Sequence, residues 1–179
     1  MIPRIIPETS ILPAEDAAIR TALCLCFPAE RQVFAHTRAW HGTGPTWSVL
    51  VEDEAIVTAH AGIVQREILI GSQRMLVAGV QNVLVLPEHR KTGMFRKVMA
   101  AAMEEAGRRE IDLGLLFCTP DLAGKYARLG WRLLESRPVV RIDENGCRQS
   151  LPAKNVTMFY PLRCREVPPG DIHLLGNDW

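Results

Sequence analysis

Residues 83–95 read Val-Leu-Val-Leu-Pro-Glu-His-Arg-Lys-Thr-Gly-Met-Phe, an apolar strand that passes through a short basic loop straight into a helix. No other stretch constrains the fold as much, because the helix must lie back on the sheet that the strand belongs to. Such a junction gathers unpaired backbone N–H groups at the positive end of a helix dipole. It is a ready-made site for an anion such as a pyrophosphate. Arg90 and Lys91 add full charges beside it, and Gly93 removes the side chain that would hold a phosphate off the backbone. The pattern is neither a Walker loop nor a glycine-rich dinucleotide fingerprint. A basic residue and a glycine also open many ordinary surface helices, so the loop alone does not establish a ligand.

Periodicity organises the rest of the chain. Residues 2–8 fit a first strand. Residues 13–26 fit a helix, with Pro13 near its start, Glu15 and Asp16 in the first turn, and Ile19, Leu23 and Cys26 on one face. Residues 30–41 fit a second, irregular helix that ends at Gly42 and Gly44. The period then changes to two. Strands are expected at 47–52, 56–70 and 75–86, with Asp53-Glu54 and Gly71-Ser72 as turns. Phe95, Val98, Met99 and Ala102 form the stripe of a helix packed on a sheet. Residues 111–117 are continuously apolar, as in a strand covered on both faces. A short helix at 120–129 closes at Gly130, and strands at 131–142 and 156–162 follow. Antiparallel strands followed by strand–helix–strand–helix–strand indicate an α/β (α+β mixed) fold.

At 179 residues the chain suits a single domain, 1–179, with one core. A net charge of +1 makes no case for nucleic acid or an anionic membrane as partner. No apolar run approaches the roughly 18–20 residues that span a bilayer. Residues 1–4 lack a signal-peptide core, so a cytoplasmic location is expected. The five cysteines are odd in number and irregularly spaced, which reads as reduced thiols, and no metal-binding spacing is present.

Downstream of the loop, Tyr126-Ala127-Arg128-Leu129-Gly130-Trp131 places a Tyr-x-x-x-Gly-aromatic run after a strand and a short helix. With both motifs in this order, the chain resembles the GNAT family of acetyl-CoA-dependent N-acetyltransferases. That family's pyrophosphate loop reads Q/R-x-x-G-x-G/A. Arg90 and Gly93 fill its first and fourth positions, and Phe95 stands where the last small residue is expected. The resemblance extends from about Thr46 onward and is closest to the aminoglycoside 2′-N-acetyltransferase branch. Its further points are Val64-Gln65-Arg66 before a hairpin, the Val83/Val85 strand, and Gly176-Asn177-Asp178-Trp179 closing the sequence.

The resemblance implies a three-layer fold with a central mixed, splayed β-sheet flanked by helices. It implies acetyl-CoA as co-substrate, no metal, and transfer of the acetyl group to a primary amine of a small molecule in a ternary complex. The implied cofactor site comprises Val83, Leu84, Val85, Arg90, Lys91, Thr92, Gly93, Met94, Phe95 and Arg96, with the Val83 and Val85 backbone pairing the pantetheine arm like an added strand. Tyr126 is the implied acid for the leaving thiolate, since a phenol with pKa about 10 stays protonated at neutral pH. Gln81 occupies the position of the branch's carboxylate base; it cannot accept a proton, but an amide there can hold a water. His60 and Glu52 are the substitutes on neighbouring strands. Glu30, Asp178 and, through its terminal carboxylate, Trp179 are the candidate acceptor ligands, whereas Lys154 and Asn155 stand where that branch has an aspartate, and a lysine there opposes a cationic aminosugar. Transfer of a longer acyl chain, and acyl-CoA binding without turnover, remain as alternatives. GNAT-like proteins are often homodimers, though no feature of this sequence demands it.

Overall fold

The computed structural model describes residues 1–54, 56–134, 137–152 and 154–179. Helix α1 spans Pro13–Cys26. It starts where Pro13 fixes the backbone and the Glu15 carboxylate accepts the Leu12 N–H at 2.8 Å. Its buried residues Ile19, Ala22 and Leu23 pack with Leu50, Leu84 and Leu86 of the sheet. The helix expected over 30–41 is much shorter: α2 covers Arg31–Phe34. Beyond it the side chains dictate the path. Arg38 is buried and ion-paired to Glu8 and Asp16, and Trp40 folds back on Phe34 at 5.2 Å. A continued helix would not bring both residues to these partners.

Strands β1 (Arg4–Pro7), β2 (Trp47–Asp53), β3 (Ile56–Ile70) and β4 (Gln73–Val85) form an antiparallel sheet. Gly71, at φ +58°, takes the left-handed conformation that the β3–β4 hairpin needs. The expected strand ends shift by one or two residues. The chain then forms α3 (Met94–Arg108), β5 (Leu113–Cys118) and α4 (Pro120–Ala127). Val98, Met99, Ala102, Met103 and Ala106 of α3 cover one sheet face, against Val49, Val51, Ala59, Ala61, Ile63 and Val80. Helix α1 covers the opposite face, so the sheet is a middle layer. The α/β mixed fold with a splayed sheet is the one observed.

The splay is specific. β5 pairs with β4 in parallel only from Val77↔Leu113 to Gly79↔Leu115, whereas along its other edge it pairs with β9 (Val156–Pro161) over its whole length, from Leu113↔Pro161 to Cys118↔Val156. From Gly79 onward, β4 and β5 diverge and leave a gap between them.

The single strand expected over 131–142 is corrected to two: β6 (Arg132–Leu133), which pairs with β9, and β7 (Val139–Ile142), which pairs with β8 (Arg148–Ser150) and β10 (Ile172–His173). Pro138 falls between them and lacks the N–H that a continuous ladder would need. Part of that expected strand, residues 135 and 136, lies outside the described residues. β10 also pairs with the end of β3, through Ile172↔Ile70.

Candidate active site

The gap opens at a bulge in β4. His60 pairs with Leu84 and Gly62 with Gln81, so Asn82 and Val83 together face the single residue Ala61. Asn82 has φ +52°, a conformation its short polar side chain tolerates. Buried contacts hold it there: its Nδ2 donates to the Arg38 carbonyl at 2.5 Å, and its own carbonyl lies 2.9 Å from His60 Nδ1. Past the bulge, the Leu86 N–H donates to Thr58 O on β3 at 2.9 Å. Backbone groups alternate along a strand, so those of Val83 and Val85 face the other way, toward the gap. The Val85 carbonyl accepts from Arg90 Nε at 3.3 Å and from the Cys26 thiol at 3.6 Å.

The chain leaves β4 through a 3-10 turn at Pro87–His89 and enters α3 through Lys91, at φ +66°, and Gly93, at φ +86°. A β-carbon at Gly93 would meet nothing within 4 Å, so the space over the helix N-terminus is open. A cleft of about 380 Å³ lies here, lined by Val85, Arg90, Lys91, Gly93, Met94, Phe95 and Arg96, and by Lys125, Arg128 and Leu129 from the α4 side. Arg90, Lys91, Arg96, Lys125 and Arg128 make no ion pair among the described residues. Unneutralised cations around a helix N-terminus can bind a polyanion chemically. Sequence reasoning missed Lys125 and Arg128; their signal was the i, i+3 spacing of two cations around Tyr126 on a short helix.

Tyr126 stands on the far arm of the gap. Its ring meets Phe95 edge-on at 5.4 Å and Trp131 at 6.1 Å. Phe95 thus packs α3 against α4, which is the use the fold makes of an aromatic residue at that loop position. Burial, with Cys118 nearby, holds the Tyr126 phenol well above its ordinary range. Burial foremost, with Asp121, pushes the Cys118 thiol up to about 11. Both groups are therefore protonated at neutral pH.

The sequence pattern of the acetyltransferase (GNAT) domain matches residues 13–134, which is more than half of the chain and holds both arms of the gap. The chain belongs to the GNAT acetyltransferase family. No curated protein sequence matches it. Among solved structures, a GNAT family N-acetyltransferase (YhbS) from Escherichia coli in complex with CoA is 14% identical, with a TM-score of 0.67 over 97% of this chain and 89% of that one. A GNAT family acetyltransferase from Brucella melitensis in complex with acetyl-CoA is 19% identical, with a TM-score of 0.62 over 95% and 94%. Escherichia coli ElaA is 14% identical, with a TM-score of 0.65 over 89% and 99%. At these identities the likeness is one of fold.

Two residues expected to act catalytically in this GNAT chain are engaged by the fold itself. His60 is fully buried, and burial foremost drives its pKa down to about 4. Its Nδ1 must carry the proton, because the Asn82 carbonyl only accepts; Nε2 then accepts from the Ser48 hydroxyl at 3.2 Å. With both nitrogens committed, His60 has none left to act as a base. Gln81 is also buried. Its Oε1 accepts the Trp40 N–H at 3.3 Å and its Nε2 donates to Thr43 O at 3.0 Å. An amide suits this double duty and a carboxylate would not, so Gln81 pins the 40–43 loop.

The acceptor side is corrected in part. Segment 175–179 is docked: the Ile142 N–H donates to Gly176 O, and Arg66 donates to Asn177 O at 2.7 Å. Asp178 is buried between Arg141 at 2.6 Å and His41 at 2.9 Å, so its charge is already matched and it is not a free ligand for an ammonium group. Trp179 is buried too, its indole against Gly79 and Phe117. Glu30 is half-buried at the end of a 3-10 turn before α2 and does not line the cationic cleft.

Proposed function

We propose that residues 1–179 act as one acetyl-CoA-dependent N-acetyltransferase unit with a small primary amine as acceptor. The observation that carries this reading is the continuity of the parts: a cationic cleft at the start of α3 opens onto Val85, and the Val83 and Val85 backbone faces a gap that no strand of the described residues fills. The pyrophosphate sits at Arg90–Arg96 with Lys125 and Arg128, and the pantetheine arm follows Val83–Val85. Arg90 leaves the Val85 carbonyl as the arm arrives. The amine, having lost its proton to solvent, attacks the thioester carbonyl. The carbonyl oxygen's developing charge is met by a backbone N–H. As the C–S bond breaks, the departing thiolate takes the Tyr126 proton, and the extra proton on the attacked nitrogen passes to solvent, from which Tyr126 is reprotonated.

The acceptor enters from the α1 face, where loop 40–43 is tied to the bulge through Gln81. A second cleft of about 320 Å³ lies beside that loop, edged by His41, Thr43, Asp143, Glu144, Gly176 and Asn177. Its acids favour a cationic acceptor. The pairing of Asp178 with Arg141 weighs against the aminoglycoside 2′ branch and for a smaller amine. A second reading, acyl-CoA binding without turnover, is favoured by Gln81, whose amide is structural where the resembling branch has a base.

Calorimetric titration with acetyl-CoA, followed by thiol release against a panel of aminosugars, polyamines and amino acids, tests both. Binding with turnover supports the transferase, and binding without turnover supports the second reading. Absence of binding rejects both.

A further inference from the structure

We propose that His60 is a positioning residue: by holding the Asn82 carbonyl, it aims the Val83 N–H into the gap between β4 and β5, where that N–H meets the acyl carbonyl oxygen. The inference rests on the acyl-CoA reading of the gap and assigns it a residue on a neighbouring strand that touches neither substrate.

Direction comes from covalent geometry. The chain has no cis peptide bonds among the described residues, so the N–H of Val83 points opposite to the C=O of Asn82. That C=O points at His60, which belongs to β3. The N–H therefore points away from β3, to the side where β5 has already left the sheet after Gly79↔Leu115.

A bulge does not secure this direction alone. It breaks the ladder locally and leaves a peptide without its regular partner. Here the peptide is clamped by an imidazole that is itself held at both ends, by Asn82 O and by the Ser48 hydroxyl. The ring is neutral, so it donates without placing a second charge beside the reacting carbonyl. Burying a histidine costs desolvation, and the two hydrogen bonds that offset this cost are the ones that fix the peptide. A leucine of similar size would fill the space without that cost, but would leave the Asn82 carbonyl buried and unpaired and the Val83 N–H free to turn.

The test compares acetyl-CoA with CoA, which lacks the acyl carbonyl, on the wild-type protein, His60→Leu and His60→Asn. The Asn Nδ2 can donate close to where His Nδ1 does. CoA affinity is expected to be equal in all three. The extra affinity for acetyl-CoA should fall about three- to tenfold in His60→Leu, the worth of one neutral hydrogen bond, and return in His60→Asn. An acetyl-CoA to CoA ratio that is the same in all three overturns the proposal while leaving the acyl-CoA reading intact. Failure of wild type to bind either probe removes both. Should His60→Leu not fold, the amide proton resonance of Val83 in the wild type decides. A larger downfield shift with acetyl-CoA than with CoA is expected, and equal shifts overturn the proposal.

Discussion

The indole of Trp179 lies against the α-carbon of Gly79, so close that a β-carbon at that glycine would stand 2.2 Å from the ring. Gly79 is the last β4 residue paired with β5, and Phe117, on the diverging part of β5, stacks obliquely on the same indole at 5.5 Å. The Arg66 guanidinium covers the ring at 5.6 Å. One side chain from the C-terminal segment thus caps the point where the two arms of the site part. A bare strand backbone at Gly79 is the condition for that cap.

Gly79→Ala is expected to expel the indole, because the strand beneath it is central and cannot retreat. The overpacking should cost about 1–3 kcal/mol in denaturant unfolding and speed proteolysis of the docked segment 175–179. Gly124→Ala is the control. It lies within α4, where a β-carbon meets nothing within 4 Å, and should be neutral or stabilising by roughly 0.5–1 kcal/mol. Equal behaviour of the two variants would show that the indole is not seated on Gly79 in solution.

Stability should fall on mild acidification because of His60. Its pKa is about 4 when folded, against 6.5 for the free side chain. Between those values the unfolded chain binds a proton that the folded chain does not, so stability rises with pH through the window and is lost as pH drops from 6.5 toward 4. The full swing is roughly 3 kcal/mol, and above pH 7 the group contributes no pH dependence. Urea unfolding at pH 7, 5.5 and 4.5 measures it, and His60→Asn should flatten the profile across the window.

The parts of the site that depend on local chemistry were legible in the sequence. Gly93 and the cations before α3 mark a helix N-terminus by composition, and Tyr126 to Trp131 marks the α4 turn by spacing. The 13–26 helix and the 56–70 strand follow from periodicity and proline placement, and they match. What was not legible depends on long-range pairing. His60 and Gln81 looked available because a sequence does not show that Asn82, Ser48, Trp40 and Thr43 would occupy them. Asp178 looked free because Arg141 is remote in sequence. β8 is short, polar and exposed, so it carries no periodicity, and β10 has two residues. The divergence of β4 from β5 is not readable from composition: β5 stays apolar through Leu116, Phe117 and Cys118, and the polar pair Gln81-Asn82 in β4 marks a bulge only through its long-range partners.

Tyr126→Phe isolates the hydroxyl. The edge contacts with Phe95 and Trp131 survive the change, so unfolding free energy and CoA affinity should hold, while kcat falls about a hundredfold if the phenol is the acid. Because burial raises its pKa above the ordinary phenol value, loss of the Tyr126 proton should add no alkaline limb to the wild-type rate profile below pH 10. Matching losses in kcat and in CoA affinity would identify Tyr126 as packing alone.

Asp178→Asn separates a structural carboxylate from a substrate ligand. Asp178 sits 2.6 Å from Arg141 Nη1, and the same nitrogen also donates to Asn177 Oδ1 at 3.0 Å. The substitution keeps the shape and removes the charge, leaving a largely buried guanidinium with neutral partners only. Breaking one side of a buried pair costs about 3–5 kcal/mol, and the 17% exposure of the Arg141 side chain places the expected loss toward the lower end. That loss should appear in unfolding whether or not substrate is present, together with faster proteolysis of the docked segment. A carboxylate whose main work was to hold an ammonium group would behave in the opposite way, raising the amine KM with stability unchanged. Arg141→Met in the Asp178→Asn background completes the comparison: if the cost comes from the stranded charge, the double variant should recover part of it.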